Sequence, residues 1–270
     1  MTHFFLTLVI ICSVFPKSLI SSSKDKLFYD AVRAEATGDL LTAIDLYEEA
    51  SKISKSSNLH GNLANLYFKT EKYGKAVLNY RRALLLEPSN RAFKENLNFA
   101  LETAGVSLRK TDFSTYLGSS SIDLWIISLA TSFWIGALAL AFLYFQGWNR
   151  KRFIFPIFTW CLLLCFLLWG VYTSTENKRL LSKEVIVIET NENENNATQN
   201  IPLRRFAGSG SSANTYVNPG ESLWLNLSNH SFLQSHKSLS GQKWFLVQSL
   251  GDDKKGWIKS DAVSFLTQAE

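Results

Sequence analysis

Four histidines and three cysteines are the side chains of this 270-residue sequence with most scope for metal, nucleophilic or acid–base chemistry. A metal needs three or four such ligands converging, and a nucleophile needs a base within hydrogen-bond reach. His3 lies in an apolar N-terminal stretch, and His60 stands in a helical pattern where aromatic side chains commonly pack. His230 and His236 share a polar loop with no acid beside them. Cys161 and Cys165 fall on one face of an apolar helix without further ligands, so packing is the role that suits them. Gly208-Ser209-Gly210 lacks the Gly-Lys-Ser/Thr ending of a phosphate-binding loop and reads as a turn. The expectation is a non-enzyme with no cofactor and no metal.

One polar spacing does suggest a task. Asn58, Asn62 and Asn65 recur at i, i+4 and i+7 and share a helix face, with Lys69 a further turn along. A carboxamide donates and accepts at once, which suits the backbone of an extended peptide. Lys69 would meet an acidic residue or a terminal carboxylate, and Asn96 holds the position equivalent to Asn62 one unit later. A solvated polar face explains the same spacing equally well.

The elements that would carry this face follow a 34-residue pattern between Ser57 and Asn90. Leu63, Ala64 and Tyr67 mark a first helix and Tyr73 a turn; Ala76, Tyr80 and Ala83 mark a second helix that Pro88 ends. The alanines give room where two helices cross, and the tyrosines fill gaps between neighbouring pairs. Upstream, Ala43, Tyr47 and Ala50 repeat the second-helix pattern, although Asp30 stands where a leucine is expected in the first. Downstream, Arg91 to Leu101 reads as a single capping helix. This resembles the tetratricopeptide repeat (TPR), and the resemblance implies peptide or protein binding on the face that carries the asparagines.

Residues 122–145 and 153–173 are two apolar stretches, each matching a bilayer core of about 30 Å. Trp125, Tyr144, Trp148, Trp169 and Tyr172 stand near their ends, where amphipathic rings favour the headgroup layer. Between them, 146–152 carries Arg150, Lys151 and Arg152 with no acid, the mark of a cytoplasmic turn. Residues 1–22 resemble a signal peptide that ends near Ser21 to Ser23. Both cues put the flanking domains outside the membrane. The net charge of +5 does not indicate nucleic acid, because acids and bases nearly balance in 23–110 and in 173–270.

After a linker at 174–183, residues 184–268 carry short β-type runs separated by turn clusters. Trp244 to Val247 and Gly256-Trp257-Ile258 resemble elements of the bacterial SH3-like domain. That resemblance implies a small barrel with Trp244, Val247, Gly256 and Trp257 in its core, Gly256 admitting a close neighbouring strand. The expected fold is therefore a multidomain membrane protein. It has all-α TPR repeats with a capping helix (23–104), a linker (105–121), a transmembrane α-hairpin and a small all-β barrel.

This layout resembles BatE-type proteins of the Bacteroides aerotolerance operons. The stretch Asn62-Leu63-Ala64-Asn65-Leu66-Tyr67-Phe68-Lys69 is similar to that family's repeat, as are Tyr73-Gly74-Lys75-Ala76 and Tyr80-Arg81-Arg82-Ala83-Leu84. The resemblance implies a bacterial inner-membrane scaffold, its TPR and SH3-like domains on the periplasmic side. The implied partners are envelope proteins with von Willebrand factor A domains and a MoxR-type ATPase. An alternative is a peptidoglycan-binding module that recruits a cell-wall enzyme through its repeats.

Overall fold

The computed structural model describes residues 17–106, 122–147, 154–189, 200–226, 235–238, 241–249 and 255–267. Arg150, Lys151, Arg152 and the first sixteen residues lie outside these, as do Trp148 and His230. Five helices come first: α1 (Lys17–Ala36), α2 (Leu40–Ile53), α3 (Ser57–Lys69), α4 (Tyr73–Leu86) and α5 (Arg91–Thr103). Lys17 to Ser23, expected to flank a cleavage site, are the opening turns of α1. Local signals set the other boundaries. Gly38 takes a φ of +83° between α1 and α2, and Asp39 then caps α2 by accepting from Thr42 N at 3.1 Å. Asn90 caps α5 in the same way through Phe93 N at 3.2 Å.

Ala43, Ala50, Ala64, Ala76 and Ala83 are fully buried, so the absence of bulk lets the helices of each pair approach closely. Gly61 has a related role on α3: a Cβ there would lie 2.4 Å from the Phe93 ring, which seats α5 in the gap.

The two apolar helices follow as α6 (Ile122–Phe145) and α7 (Ile154–Lys183). Both are long and apolar enough to cross a membrane. They pack through two reciprocal notches. Trp160 of α7 fills the space over Gly136, where a Cβ would lie 2.2 Å from its Nε1, and donates to Ser132 O at 3.2 Å. Trp125 of α6 fills the space over Gly170, 2.4 Å from a Cβ placed there. Glycine is what allows a tryptophan between closely packed helices.

The C-terminal region is an antiparallel sheet of β1 (Glu184–Val187), β2 (Ile201–Arg204), β3 (Ala213–Val217), β4 (Ser222–Leu225), β5 (Ser235–Lys237), β6 (Lys243–Ser249), β7 (Lys255–Lys259) and β8 (Val263–Phe265). The strand order is β3-β2-β7-β6-β4-β1-β8, with β5 also paired to β6. The terminal strands β3 and β8 do not pair, so the expected closed barrel is an open sheet. Its inner face holds Val185, Leu203, Leu223, Phe245, Val247 and Ile258. A Cβ on Gly256 would lie 2.7 Å from Leu203 Cβ, so β2 passes where only glycine leaves room.

Of the four expected core residues Trp244, Val247 and Gly256 are buried, and Trp257 sits differently. Trp257 alternates with Gly256 and Ile258, which are buried, and so lies half-buried on the outer face beside His236, with ring centroids 6.4 Å apart. Trp244 is 1% exposed yet belongs to that same outer face, because Phe245 and Val247 take the inner positions of β6. The period of two decides this: a core residue at 256 or 258 forces 257 outward.

The sheet packs directly on the helical array. Leu181 at the end of α7, Ile186 of β1 and Leu266 after β8 share one hydrophobic core with α1–α5. Helix α4 is consequently buried on both sides. Ala76, Asn79, Tyr80 and Ala83 occupy one side; Gly74, Val77 and Arg81 point the opposite way, toward the sheet. Arg81 makes a bidentate pair with Glu184 (Nη1–Oε1 2.5 Å, Nη2–Oε2 2.9 Å) and donates to Ser222 Oγ. Arg82 donates to Phe265 O at 2.8 Å. Glu189 accepts from Gly74 N and Lys75 N at the start of α4, where free amides and the helix dipole favour an anion. Burial still holds its carboxyl above the usual range, against the pull of those amides.

Candidate peptide-binding groove

Because the sheet covers the outer side of α4, the opposite side of the array remains open. A cavity of about 290 Å³ lies there, lined by Asn65, Phe68 and Lys69 of α3, Tyr80 of α4, and Asn96 and Phe99 of α5. Three of the five proposed groove residues, Asn65, Lys69 and Asn96, are brought together in it. Asn62 lies one turn earlier on α3, and Asn58 is exposed a further turn away.

Tyrosines from the second helices anchor the asparagines. Asn62 Nδ2 donates to Tyr47 OH at 3.3 Å, and Tyr80 OH donates to Asn65 Oδ1 at 2.6 Å. Asn96 also hydrogen-bonds the Tyr80 hydroxyl. Burial raises the Tyr47 and Tyr67 hydroxyls and pushes Tyr80 up to about 12, so all three keep their protons at neutral pH. Tyr67 uses its proton on Glu48 of α2, which ties the two helix pairs together. The asparagine face thus has a structural task.

Lys69 does not stand alone. Its Nζ lies 2.9 Å from Glu35 Oε1 of α1, so its charge is met within the chain. Phe68 and Phe99, which the polar reading of the face passes over, form an aromatic wall with centroids 5.3 Å apart. Phe99 is 60% exposed. The signal for it was available: Phe99 follows Asn96 by three residues, as Phe68 follows Asn65, on the same helix side.

The packing residues lie away from solvent. Leu63, Ala64, Tyr67, Ala76, Tyr80 and Ala83 are buried, and Tyr73 and Pro88 are half-buried. His60 is buried, its Nδ1 3.0 Å from Asn79 Oδ1, and burial keeps its pKa below the ordinary value. It is a core residue with a partner, and His236 lies on the sheet. Among the described residues no group of three histidine, cysteine or acidic side chains could hold a metal ion.

The helical part of the fold is built from repeated helix pairs. The tetratricopeptide repeat family matches residues 57–90, which is the α3–α4 pair and the turn that follows. That repeat points to protein–protein interaction, and its family is generally non-enzymatic. No curated protein matches the chain.

Proposed function

We propose that the chain is a non-enzymatic adaptor of BatE type, anchored in the bacterial inner membrane by α6 and α7. Its groove at Asn58, Asn62, Asn65, Lys69 and Asn96 binds an envelope protein on the periplasmic side. The observation that carries the reading is the open cavity on a repeat array whose other side is already occupied by the sheet. The hairpin supports the anchoring, since its apolar side chains point outward: Leu138, Phe142, Phe155 and Trp169 are all more than half exposed. A hairpin returns the chain to the side it left, which suits two outer domains that pack together. The partners proposed are von Willebrand factor A proteins and a MoxR-type ATPase.

Crosslinked purification of the full-length protein from its native membrane tests this, with an Asn62→Ala/Asn65→Ala variant beside it. Recovery of those partners with the wild type, and their loss in a variant that keeps its thermal midpoint, supports the adaptor. Recovery of wall hydrolases or synthases from both proteins alike overturns it in favour of wall binding.

A further inference from the structure

Resting on the reading of the open face as a protein-binding groove, we infer that the segment it takes is extended and uncharged. One aromatic or large aliphatic side chain of that segment seats against Phe68 and Phe99; an acidic tail is not the ligand. Three features of the groove carry this.

The first is the orientation of its amides. Tyr80 gives its single proton to Asn65 Oδ1, so the bond from Asn96 to the same hydroxyl comes from Asn96 Nδ2. That leaves Asn65 its N–H donors and Asn96 its carbonyl acceptor. Asn62, whose Nδ2 is engaged by Tyr47, likewise keeps its carbonyl. Each carboxamide has two N–H groups and two acceptor lone pairs, so beyond its tyrosine bond each keeps donor and acceptor capacity. Asn65 and Asn96 offer it at the cavity and Asn62 one turn before it. That capacity suits the alternating N–H and C=O groups of an extended backbone, which every peptide carries whatever its side chains.

The second is charge. Among the described residues Lys69 is the one cation lining the cavity, and Glu35 already meets it at 2.9 Å. An incoming carboxylate would compete with Glu35 for that ammonium and would sit beside Glu35 itself. The like-charge contact offsets what the lysine could give.

The third is shape. Phe99 keeps more than half its surface open although it touches Phe68, and both rings border a cavity of about 290 Å³. That volume accommodates one large side chain. An aromatic guest would meet the rings edge-on or offset, as aromatic pairs prefer.

A phage-displayed library of random 12-residue peptides, selected on the full-length protein in detergent micelles, tests the inference. Binding of synthetic copies is then read by fluorescence polarisation. The expected winners carry an aromatic or large aliphatic residue in neutral flanks. Phe99→Ala should weaken them at least tenfold, and Asn65→Ala about three- to tenfold, the effect of one lost hydrogen bond. Lys69→Ala, whose charge Glu35 already meets, should weaken them less than Asn65→Ala does. Phe99 is exposed, so its truncation spares the fold, and an unchanged thermal midpoint checks this. Winners rich in Asp or Glu, or dependent on a free carboxylate and lost in Lys69→Ala, overturn the inference and leave the groove standing. Winners indifferent to all three variants, or no winners, remove the groove reading itself.

Discussion

The pair Arg81–Glu184 joins α4 to β1, and its removal offers the sharpest test of how the two folded regions relate. Both side chains are less than a tenth exposed, and the contact is bidentate. Removing one partner strands a buried charge, which costs about 3–5 kcal/mol, whereas breaking an exposed ion pair costs under about 1 kcal/mol. Against a domain stability of about 5–15 kcal/mol, either single change is severe. Replacing both by apolar side chains of similar volume removes the two charges of the pair together. Arg81→Met/Glu184→Leu should therefore be far less damaging than the sum of its parts, with a coupling of about 3 kcal/mol or more. Urea unfolding of the full chain in mild detergent, followed by tryptophan fluorescence, measures all four corners of the cycle. Two single variants within about 1 kcal/mol of wild type and an additive double variant would mean that the sheet does not pack on α4.

Other perturbations have equally definite outcomes. Gly74→Ala should destabilise by about 1–3 kcal/mol in the same assay, since its Cβ would lie 2.5 Å from Val187 O, a backbone atom that cannot step aside. His60 is neutral when folded, its pKa lowered chiefly by burial. The unfolded chain therefore takes up its proton first as pH falls below about 6.5, and stability drops by at most about 1.4 kcal/mol per pH unit until the folded pKa is passed. Unfolding of wild type and His60→Gln between pH 7.5 and 5 should show a shallower loss in the variant; equal slopes would refute the assignment. In the hairpin, Gly136→Val should push Trp160 out of its notch, and spin labels on the two helices should report a wider spacing.

The repeat pattern was legible because close helix packing leaves a strict record: small residues at crossings and tyrosines at gaps recur at fixed offsets. The apolar lengths of α6 and α7 were equally plain. The seam was not legible. Nothing local in the sequence around Arg81 and Arg82 says that a carboxylate 103 residues away will bury one of them. Trp257 went astray for a related reason. A motif names a residue type, while the period of two set by Gly256 and Ile258 decides the face it occupies. Strands β3 and β8 leave only a weak signal because they are short and polar at alternate positions. In the groove the amide spacing stood out, but the pairing of Lys69 with Glu35 needed the approach of α1 to α3 in space.

The most direct test of the adaptor account is photocrosslinking in living cells, with benzoylphenylalanine placed at Phe99 in the groove. The same group at Leu41, exposed on α2 outside the cavity, and at Tyr216 on the sheet edge gives the comparison. The account predicts a discrete adduct with an envelope protein from position 99, reduced when Asn65 is changed to alanine, and none from position 41. An adduct from position 216 with none from position 99 would contradict it and move the binding surface to the sheet.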